Sequence, residues 1–161
     1  MTVPDPSIDP KVRAFLDLIA WSEGTSCMGD NGYNVIVEST IAHPILFTSY
    51  ADHPRIRISI ERLHIYSTAA GRYQFIARTW DALAAQLGLK DFSPPNQDKA
   101  CVKTLSNRHA LILIETGDIE KAIYACNEEW ASFPGSPYEQ GEQKMPRLLA
   151  HYTTFLKGYL A

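Results

Sequence analysis

The sequence predicts an α+β fold that is mainly helical and carries a small antiparallel β-sheet early in the chain. Three observations predict it. Apolar residues recur at helical spacing in several segments, two β-branched stretches lie between residues 31 and 66, and turn-forming residues separate them. With 161 residues, of which 45% are hydrophobic, the chain suits one globular domain, residues 1–161, with a single core.

The first predicted helix runs from Pro10 to Glu23. Asp9 is a suitable N-cap, Pro10 suits the first helical position, and Gly24 favours the end of the helix. Glu23 therefore lies on the last turn, where the helix dipole disfavours a negative charge. Burial beside Trp21, which either walls a site or packs beneath it, would also raise the pKa of Glu23. A carboxyl still protonated near neutral pH can act as a general acid, although a solvated surface glutamate is the alternative.

Two short stretches predict the sheet. "GYNVIV" (32–37) and "RIRISI" (55–60) are rich in β-branched residues, and the second alternates cleanly between apolar and polar residues. Gly, Asn, Pro and Asp surround both stretches. We expect a small antiparallel sheet or hairpin with loops rather than a large sheet.

Helical spacing returns in the second half of the chain. Gly88 ends one helix, Asp118 caps another, and the very apolar stretch 110–115 predicts a short buried helix between them. Trp80 and Trp130 lie on inward-facing stripes and are predicted core residues. A turn-rich loop over 131–142 precedes the final helix. The helical patterns cover 76–87, 93–105, 110–115, 118–130 and 148–159.

Composition limits the classes of partner. A net charge of −3 and a pI near 5.9 give no basic face for nucleic acid or an anionic membrane surface. No apolar stretch approaches the ~20 residues of a membrane span. The polar, proline-rich N-terminus, MTVPDPSIDP, lacks the features of a secretory signal. We therefore expect a cytoplasmic monomer without nucleic acid or stable membrane association.

The cysteines and histidines give no sign of a metal or redox site. Cys27, Cys101 and Cys126 are an odd number and widely spaced, so we expect reduced thiols, with the last two in helix cores. The five histidines show no HExxH or paired-ligand spacing, and we expect them on the surface or in a cleft. Neither a metal nor a cofactor is predicted.

The stretch "STAAGRYQFIARTW" (67–80) is a second candidate for chemistry. Gly71 permits a close approach of the backbone, while Tyr73 and Gln74 offer an aromatic face for a sugar and amide hydrogen bonds. The alternative is the start of a helix with a core tyrosine.

Several motifs, in this order along the chain, carry a resemblance to a known family. "AWSEGT", "GYNVIV", "DHPR", "GRYQ", "QLGLKDFSP" and "WASFPG" resemble the endolysins of phage lambda and its relatives over residues 11–142. "STAAGRYQ" is also similar to the Ser-x-Ala-x-Gly-x-x-Gln stretch of bacterial lytic transglycosylases. The resemblance implies a lysozyme-like fold with its small sheet near a substrate groove. It also implies cleavage of the MurNAc–GlcNAc β-1,4 bond of peptidoglycan to leave a 1,6-anhydro-MurNAc end.

The resemblance also assigns residues. It implies that Glu23 is the catalytic acid, and that mobile lips of the sugar groove correspond to 52–66 and 133–144. The chain departs from the family pattern at Asn34, where the pattern has an aspartate, and over 38–44. Positions implied to bind substrate or support the groove are Tyr33, Asp52, His53, Arg72, Tyr73, Gln74 and Tyr138.

Two alternatives to a transglycosylase stay open. A transglycosylase needs one carboxylate, because the substrate's own C6 hydroxyl is the nucleophile, whereas a hydrolytic lysozyme needs a second one. Asp30 and Glu38 are near enough to Glu23 in sequence to serve. A binding module that has lost its chemistry is the other alternative, but it would be expected to lack the acid. The family implies accumulation in the host cytoplasm, release through a membrane lesion, and action on peptidoglycan in the periplasm.

Overall fold

The computed structural model describes residues 2–138 and 141–161. Within them it confirms the α+β class, with helices predominating over a two-stranded antiparallel sheet. The helices are α1 Pro10–Ser22, α2 Ala77–Leu87, α3 Pro94–Asn107, α4 Ala110–Glu115, α5 Ile119–Ala125 and α6 Met145–Leu160, and the strands are β1 Ile58–Ile60 and β2 Ile65–Ser67.

The chain divides into two compact units. The first unit comprises Met1–Val3 and Gly24–Ala100, and the second comprises Pro4–Glu23 and Cys101–Ala161. The first therefore holds the sheet and α2, and the second holds α1, α4, α5 and α6. That the whole chain acts as one catalytic domain stays a prediction.

The sheet of the first unit is a hairpin. Strands β1 and β2 pair antiparallel, with Ser59 opposite Tyr66. Only the last three residues of the predicted strand 55–60 are in it, and the predicted strand 32–37 is wrong. That segment makes only isolated bridges, because Val35 pairs with Leu46 and Ile36 with Ala70, single residues of two different segments, so no continuous ladder forms.

An aromatic cluster forms much of the core of the first unit. The ring of Trp80 meets the ring of Phe92 edge-on, with centroids 4.6 Å apart, and Phe75 and Phe47 pack beside them. Trp80 is 3% exposed, which confirms its predicted place in the core. Helix α2 ends at Gly88 as predicted, in a left-handed conformation with φ +66°.

In the second unit, α1 packs on α6 and on α4. The predicted N-cap is confirmed, since the Asp9 carboxylate accepts a hydrogen bond from the backbone N–H of Lys11 at 2.8 Å. Phe15 of α1 lies edge-on to Phe133 and to Tyr152 of α6, with ring centroids 6.1 and 6.4 Å apart. These contacts pack α1 against α6 and against the turn that carries Phe133.

Two helical predictions differ in detail from the structure. Helix α4 is not fully buried, because Ile112 is 59% exposed while Ala110 and Ile114 are covered. Helix α5 ends at Ala125, and turns lead from there to Trp130, which is nevertheless a core residue at 2% exposure.

The cysteine prediction is confirmed. None of Cys27, Cys101 and Cys126 is in a disulfide; Cys27 is exposed, Cys101 is buried in α3, and Cys126 is buried directly after the end of α5. Among residues 2–138 and 141–161, no helix combines the length and the apolar character needed to cross a bilayer.

Candidate active site

Glu23 is the C-cap residue of α1, as the sequence predicts. Its backbone N–H donates to the carbonyl of Ile19 at 2.8 Å, and the next residue, Gly24, has φ +76°. A residue with a Cβ rarely adopts this left-handed conformation, so glycine allows the helix to end directly after the glutamate. The helix thus carries the carboxyl to its last turn and holds its backbone there.

Burial raises the pKa of Glu23 from its ordinary value of 4.5 to about 7. The residue keeps part of its surface open to solvent, but protein atoms surround the carboxyl densely, and that density sets the cost of charging it. A hydrogen bond from the side chain of Ser132 acts in the opposite direction and limits the rise. A pKa near 7 leaves both the protonated and the ionised form of Glu23 populated near neutral pH. The predicted effect of burial is confirmed, and the contribution of the helix dipole stays a prediction.

Two buried hydroxyls lie beside this acid. The hydroxyls of Ser22 and Ser132 are hydrogen-bonded at 2.6 Å, and both residues are largely buried. Ser132 lies in a turn between two core aromatics, Trp130 and Phe133. Sequence reasoning missed both serines, because residues 110 positions apart carry no spacing signal.

The ring of Trp21 is covered within the second unit. It stacks on the ring of His151, with centroids 3.7 Å apart, and the guanidinium of Arg147 lies 5.2 Å from its centre. Both partners belong to α6, so Trp21 packs the end of α1 against that helix.

Three residues assigned by resemblance, Tyr33, Arg72 and Tyr73, are buried in the first unit at 0–2% exposure. The hydroxyls of Tyr33 and Tyr73 both donate to the same carboxylate oxygen of Asp98, at 2.8 and 2.6 Å. The suggestion that Tyr73 offers a face for a sugar is wrong for this structure, because its ring is enclosed between Tyr33 and Phe75. The alternative reading, a core tyrosine, describes it.

Arg72 is held in place through its backbone as well as its guanidinium. Its N–H donates to the Gln97 side chain at 3.0 Å, and its carbonyl accepts from the hydroxyl of Thr25 at 2.6 Å. Its guanidinium donates to the carbonyl of Asn31. Gly71, at φ +82°, has no space for a side chain, since a Cβ there would lie 2.8 Å from the ring of Phe92. The "GRYQ" motif is therefore dictated by packing in this unit.

The remaining assigned residues have different surroundings. Gln74 is half-buried and donates to the carbonyl of Gly71 at 2.9 Å. Asp52 is exposed, and its hydrogen bond with Arg55 lowers its pKa. Tyr138 is 47% exposed, and the two residues after it, within the second predicted lip, lie outside the described residues.

His53 corrects the prediction for the histidines, because it is 2% exposed rather than on a surface or open cleft. Its Nδ1 accepts the backbone N–H of Arg55 at 3.0 Å, so its Nε2 carries the proton and donates to the carbonyl of Phe75 at 2.8 Å. Burial lowers the pKa of His53, and both nitrogens are satisfied in the neutral ring.

The two candidate second carboxylates already have partners. Asp30 accepts from the backbone N–H of Thr2 at 3.3 Å and from the hydroxyl of Tyr50 at 2.9 Å. Partial burial acts to raise the pKa of Asp30, but these hydrogen bonds outweigh it and the pKa is lowered. Glu38 forms an ion pair with Arg62, in which one guanidinium nitrogen lies 3.0 Å from both carboxylate oxygens.

The departure at Asn34 has a structural explanation. Its amide oxygen accepts the backbone N–H of Asp30 at 2.8 Å, and its amide nitrogen donates to the carbonyl of Phe47 at 3.4 Å. An ionised carboxylate could make only the first of these bonds. Among the described residues, no group of three or more His, Cys, Asp or Glu side chains could hold a metal ion.

The raised pKa of Glu23 predicts a pH dependence of folding stability. Between pH 4.5 and about 7 the folded chain holds a proton that the unfolded chain releases, so the stability contribution is complete at low pH and is lost as pH rises through this window. At 1.36 kcal/mol per pKa unit, the full span is about 3 kcal/mol. We expect Glu23→Gln to equal the wild type near pH 4 and to exceed it by up to this amount near pH 8. Urea denaturation of both proteins across this range checks it, and a difference independent of pH would contradict it.

Comparison with known proteins confirms the resemblance. The family model described as Endolysin matches residues 13–157. The chain is 45% identical to the endolysin of Escherichia phage lambda over 149 residues, 90% of either chain. It is 40% identical to the endolysin of Escherichia phage P2 over 150 residues, 89% of this chain and 91% of that one.

Solved structures agree. A structure of bacteriophage lambda lysozyme complexed with a chitohexasaccharide superposes with a TM-score of 0.86 at 44% identity, covering 92% of this chain and 95% of that one. A second structure of lysozyme from bacteriophage lambda gives a TM-score of 0.74 at 38% identity, covering 95% and 94%. The chain therefore belongs to the endolysin family and is a lysozyme-like enzyme that degrades peptidoglycan.

Proposed function

We propose that this endolysin is a lytic transglycosylase that cleaves the MurNAc–GlcNAc β-1,4 bond and leaves a 1,6-anhydro-MurNAc end, with Glu23 as its catalytic acid. The observation that carries the proposal is the position and pKa of Glu23, a densely surrounded carboxyl at the end of α1 with a pKa of about 7. Such a group can give a proton and take one back at neutral pH.

Glu23 performs both proton transfers of the proposed reaction. Its proton moves to the oxygen that links C1 of MurNAc to the next sugar as the C1–O bond breaks. The glutamate, now ionised, takes the proton of the C6 hydroxyl of the same MurNAc, whose oxygen forms the new bond to C1. Because the nucleophile belongs to the substrate, its effective molarity can reach ~10⁵ M or more. No water enters the product, and Glu23 regains its proton.

The surroundings of Asp30 and Glu38 support this reaction over hydrolysis. A hydrolytic lysozyme needs a second carboxylate free to act as a nucleophile or to activate water. Asp30 instead accepts hydrogen bonds from Thr2 and Tyr50, and Glu38 is paired with Arg62. Each carboxylate would have to break these contacts before it could act as a nucleophile or activate water.

Similarity to relatives supports the substrate class. The phage lambda lysozyme structure holds a chitohexasaccharide, so a protein 44% identical to this one binds a glycan. We propose that peptidoglycan glycan strands are the partner of this chain, and that Asp52, Gln74 and Tyr138, which retain exposed surface, are the assigned residues able to contact them. Acting as a monomer, the enzyme would reach periplasmic peptidoglycan after release from the host cytoplasm.

Product analysis distinguishes the two reactions. We expect mass spectrometry of digests of purified peptidoglycan to show anhydro-muropeptides, about 18 Da lighter than hydrolysis products. Digestion in water enriched in heavy oxygen should leave the new MurNAc ends unlabelled. Reducing ends that carry the heavy oxygen would instead identify a hydrolytic lysozyme, that is, a muramidase.

The muramidase alternative also predicts which second residue matters. If Asp30 or Glu38 supplied the second carboxylate, Asp30→Asn or Glu38→Gln would reduce kcat by orders of magnitude. We expect both variants to retain kcat within a few-fold once their folding is verified by circular dichroism.

A further inference from the structure

We propose that the β1–β2 hairpin binds the carboxylates of peptidoglycan stem peptides through Arg57, whose guanidinium is held in position by Tyr66. The inference deepens the proposed function, and it rests on peptidoglycan being the partner and on residues 52–66 bordering the sugar groove. Glu23 acts on the glycan strand, whereas this contact concerns the peptides attached to it. Neither Arg57 nor Tyr66 is among the residues that the family resemblance assigns.

One face of the hairpin lies on the core of the first unit and the other faces solvent. Ile60 is 3% exposed, so it marks the covered face, and Ser59 next to it points the opposite way and is exposed. Tyr66 lies opposite Ser59 in the antiparallel register and shares its face, where it is 64% exposed. Arg57, two residues before Ser59, is exposed as well. An arginine and a tyrosine therefore lie side by side on the outer face.

The aromatic ring holds the arginine in a defined place. The guanidinium carbon of Arg57 lies 4.7 Å from the centre of the Tyr66 ring, within the range of a cation–π contact. This contact restricts a side chain that would otherwise lose its rotamer freedom on binding. The guanidinium offers its N–H donors in a planar fork that matches the geometry of a carboxylate. The pair is thus a pre-oriented contact for an anion.

Arg57 differs from the other two arginines of this segment in its partners. Arg55 is bonded to two aspartates, and Arg62 is paired with Glu38. Within the part of the chain that the structure describes, no carboxylate forms an ion pair with Arg57. Glu61, a neighbouring acid on the hairpin, instead accepts a hydrogen bond from a serine hydroxyl. The guanidinium of Arg57 is therefore available to an external anion.

The chemistry of peptidoglycan identifies the anion. The lactyl carboxyl of each substituted MurNAc is joined to its stem peptide by an amide bond, so the free carboxylates lie on the peptides and not on the sugars. A chain with a net charge of −3 gains nothing from long-range attraction to such an acidic polymer. A single arginine fixed on the exposed face of the hairpin instead supplies local charge complementarity, which gives specificity more than affinity. We therefore expect Arg57 to favour peptide-bearing strands over bare ones.

The test measures binding by the full chain carrying Glu23→Gln, called the parent protein, so that cleavage does not interfere. Isothermal titration calorimetry gives the Kd of three hexasaccharides, which are alternating GlcNAc and MurNAc with stem peptides, the same glycan after an amidase has removed the peptides, and neutral chitohexaose. Adding Arg57→Gln should weaken binding of the peptide-bearing glycan about 3- to 5-fold, the effect of one exposed ion pair. The other two Kd values should change by less than about 2-fold.

Further variants separate the charge from the ring. Arg57→Glu replaces attraction by repulsion and should weaken binding of the peptide-bearing glycan about 10-fold. Tyr66→Ala releases the guanidinium and should weaken binding about 2-fold, whereas Tyr66→Phe keeps the ring and should bind as the parent does. In about 0.5 M salt the loss caused by Arg57→Gln should fall below about 2-fold, because exposed charges are then screened. A purely structural role would depend on neither the probe nor the salt.

Arg78→Gln is the matched control, because Arg78 is an exposed arginine on α2 of the same unit, and its Kd values should equal those of the parent. Circular dichroism verifies that each variant is folded. An unchanged Kd for the peptide-bearing glycan in Arg57→Gln would overturn the proposal, as would an equal loss with the amidase-treated glycan or with chitohexaose. The amidase-treated glycan carries free lactyl carboxylates, so it distinguishes these from the carboxylates of the peptides.

The binding measurement is independent of the proposed reaction, because it needs no cleavage. Hydrolysis products in the digests would overturn the transglycosylase reaction and leave the Arg57 contact intact. A parent protein that bound none of the three probes would instead remove the glycan strand as the partner, and the Arg57 contact with it.

Discussion

Glu23→Gln should lose peptidoglycan-degrading activity by about 10²- to 10⁴-fold, the range that general acid catalysis contributes. The amide matches the shape of the protonated acid, but it has no acidic proton to give to the leaving oxygen. Its fold should be kept, because burial already penalises the charged form that the substitution removes. The loss is measured as the rate of turbidity decrease of a purified peptidoglycan suspension.

Two further variants make this result specific. Glu115→Gln makes the same chemical change at an exposed position of the second unit and should leave the rate unchanged. Glu23→Asp keeps a carboxyl but withdraws it by one methylene group, and should fall between Glu23→Gln and the wild type. A folded Glu23→Gln that degrades peptidoglycan near the wild-type rate would remove Glu23 from the mechanism, and with it the proposed reaction.

The sequence predicted the helices well because their signals are local. Asp9 and Asp118 cap helices, and Gly24 and Gly88 end them, since each of these residues acts on the backbone within one turn. The strand predicted at 32–37 failed for the opposite reason. β-Branched composition reports a preference for burial and extended backbone, but a ladder also needs a partner strand, and here the partners are isolated residues.

The acid of the candidate site was predictable, and its support was not. Glu23 has a local signature, a carboxyl between a helical stripe and a glycine, and its raised pKa follows from burial there. Ser132 is hydrogen-bonded to Ser22, and Asp98 to Tyr33, across long sequence separations. No sequence spacing therefore indicates these contacts. Tyr73 was assigned from its motif alone, and motif position could not distinguish a buried supporting residue from a residue that contacts substrate.

Asp98→Ala should give the largest loss of stability, about 3–5 kcal/mol, because it leaves two buried tyrosine hydroxyls without their shared acceptor and opens a cavity. Asp98 is 1% exposed, and Tyr33 and Tyr73 donate to one of its oxygens at 2.8 and 2.6 Å. The rings of both tyrosines are fully enclosed, so water cannot easily replace the lost acceptor. A typical domain is stable by only about 5–15 kcal/mol, so much of the folded population would be lost on mild heating.

Conservative variants separate the hydrogen bonds from the cavity. Asp98→Asn keeps an oxygen at the shared position and should cost only about 1–2 kcal/mol, and Tyr33→Phe and Tyr73→Phe, which each remove one hydroxyl, about 1 kcal/mol. Urea denaturation followed by circular dichroism and by tryptophan fluorescence measures all four, and coincident transitions justify a single free energy of unfolding. If Asp98→Ala unfolded within about 1 kcal/mol of the wild type, the paired tyrosine hydroxyls would not be what stabilises this part of the first unit.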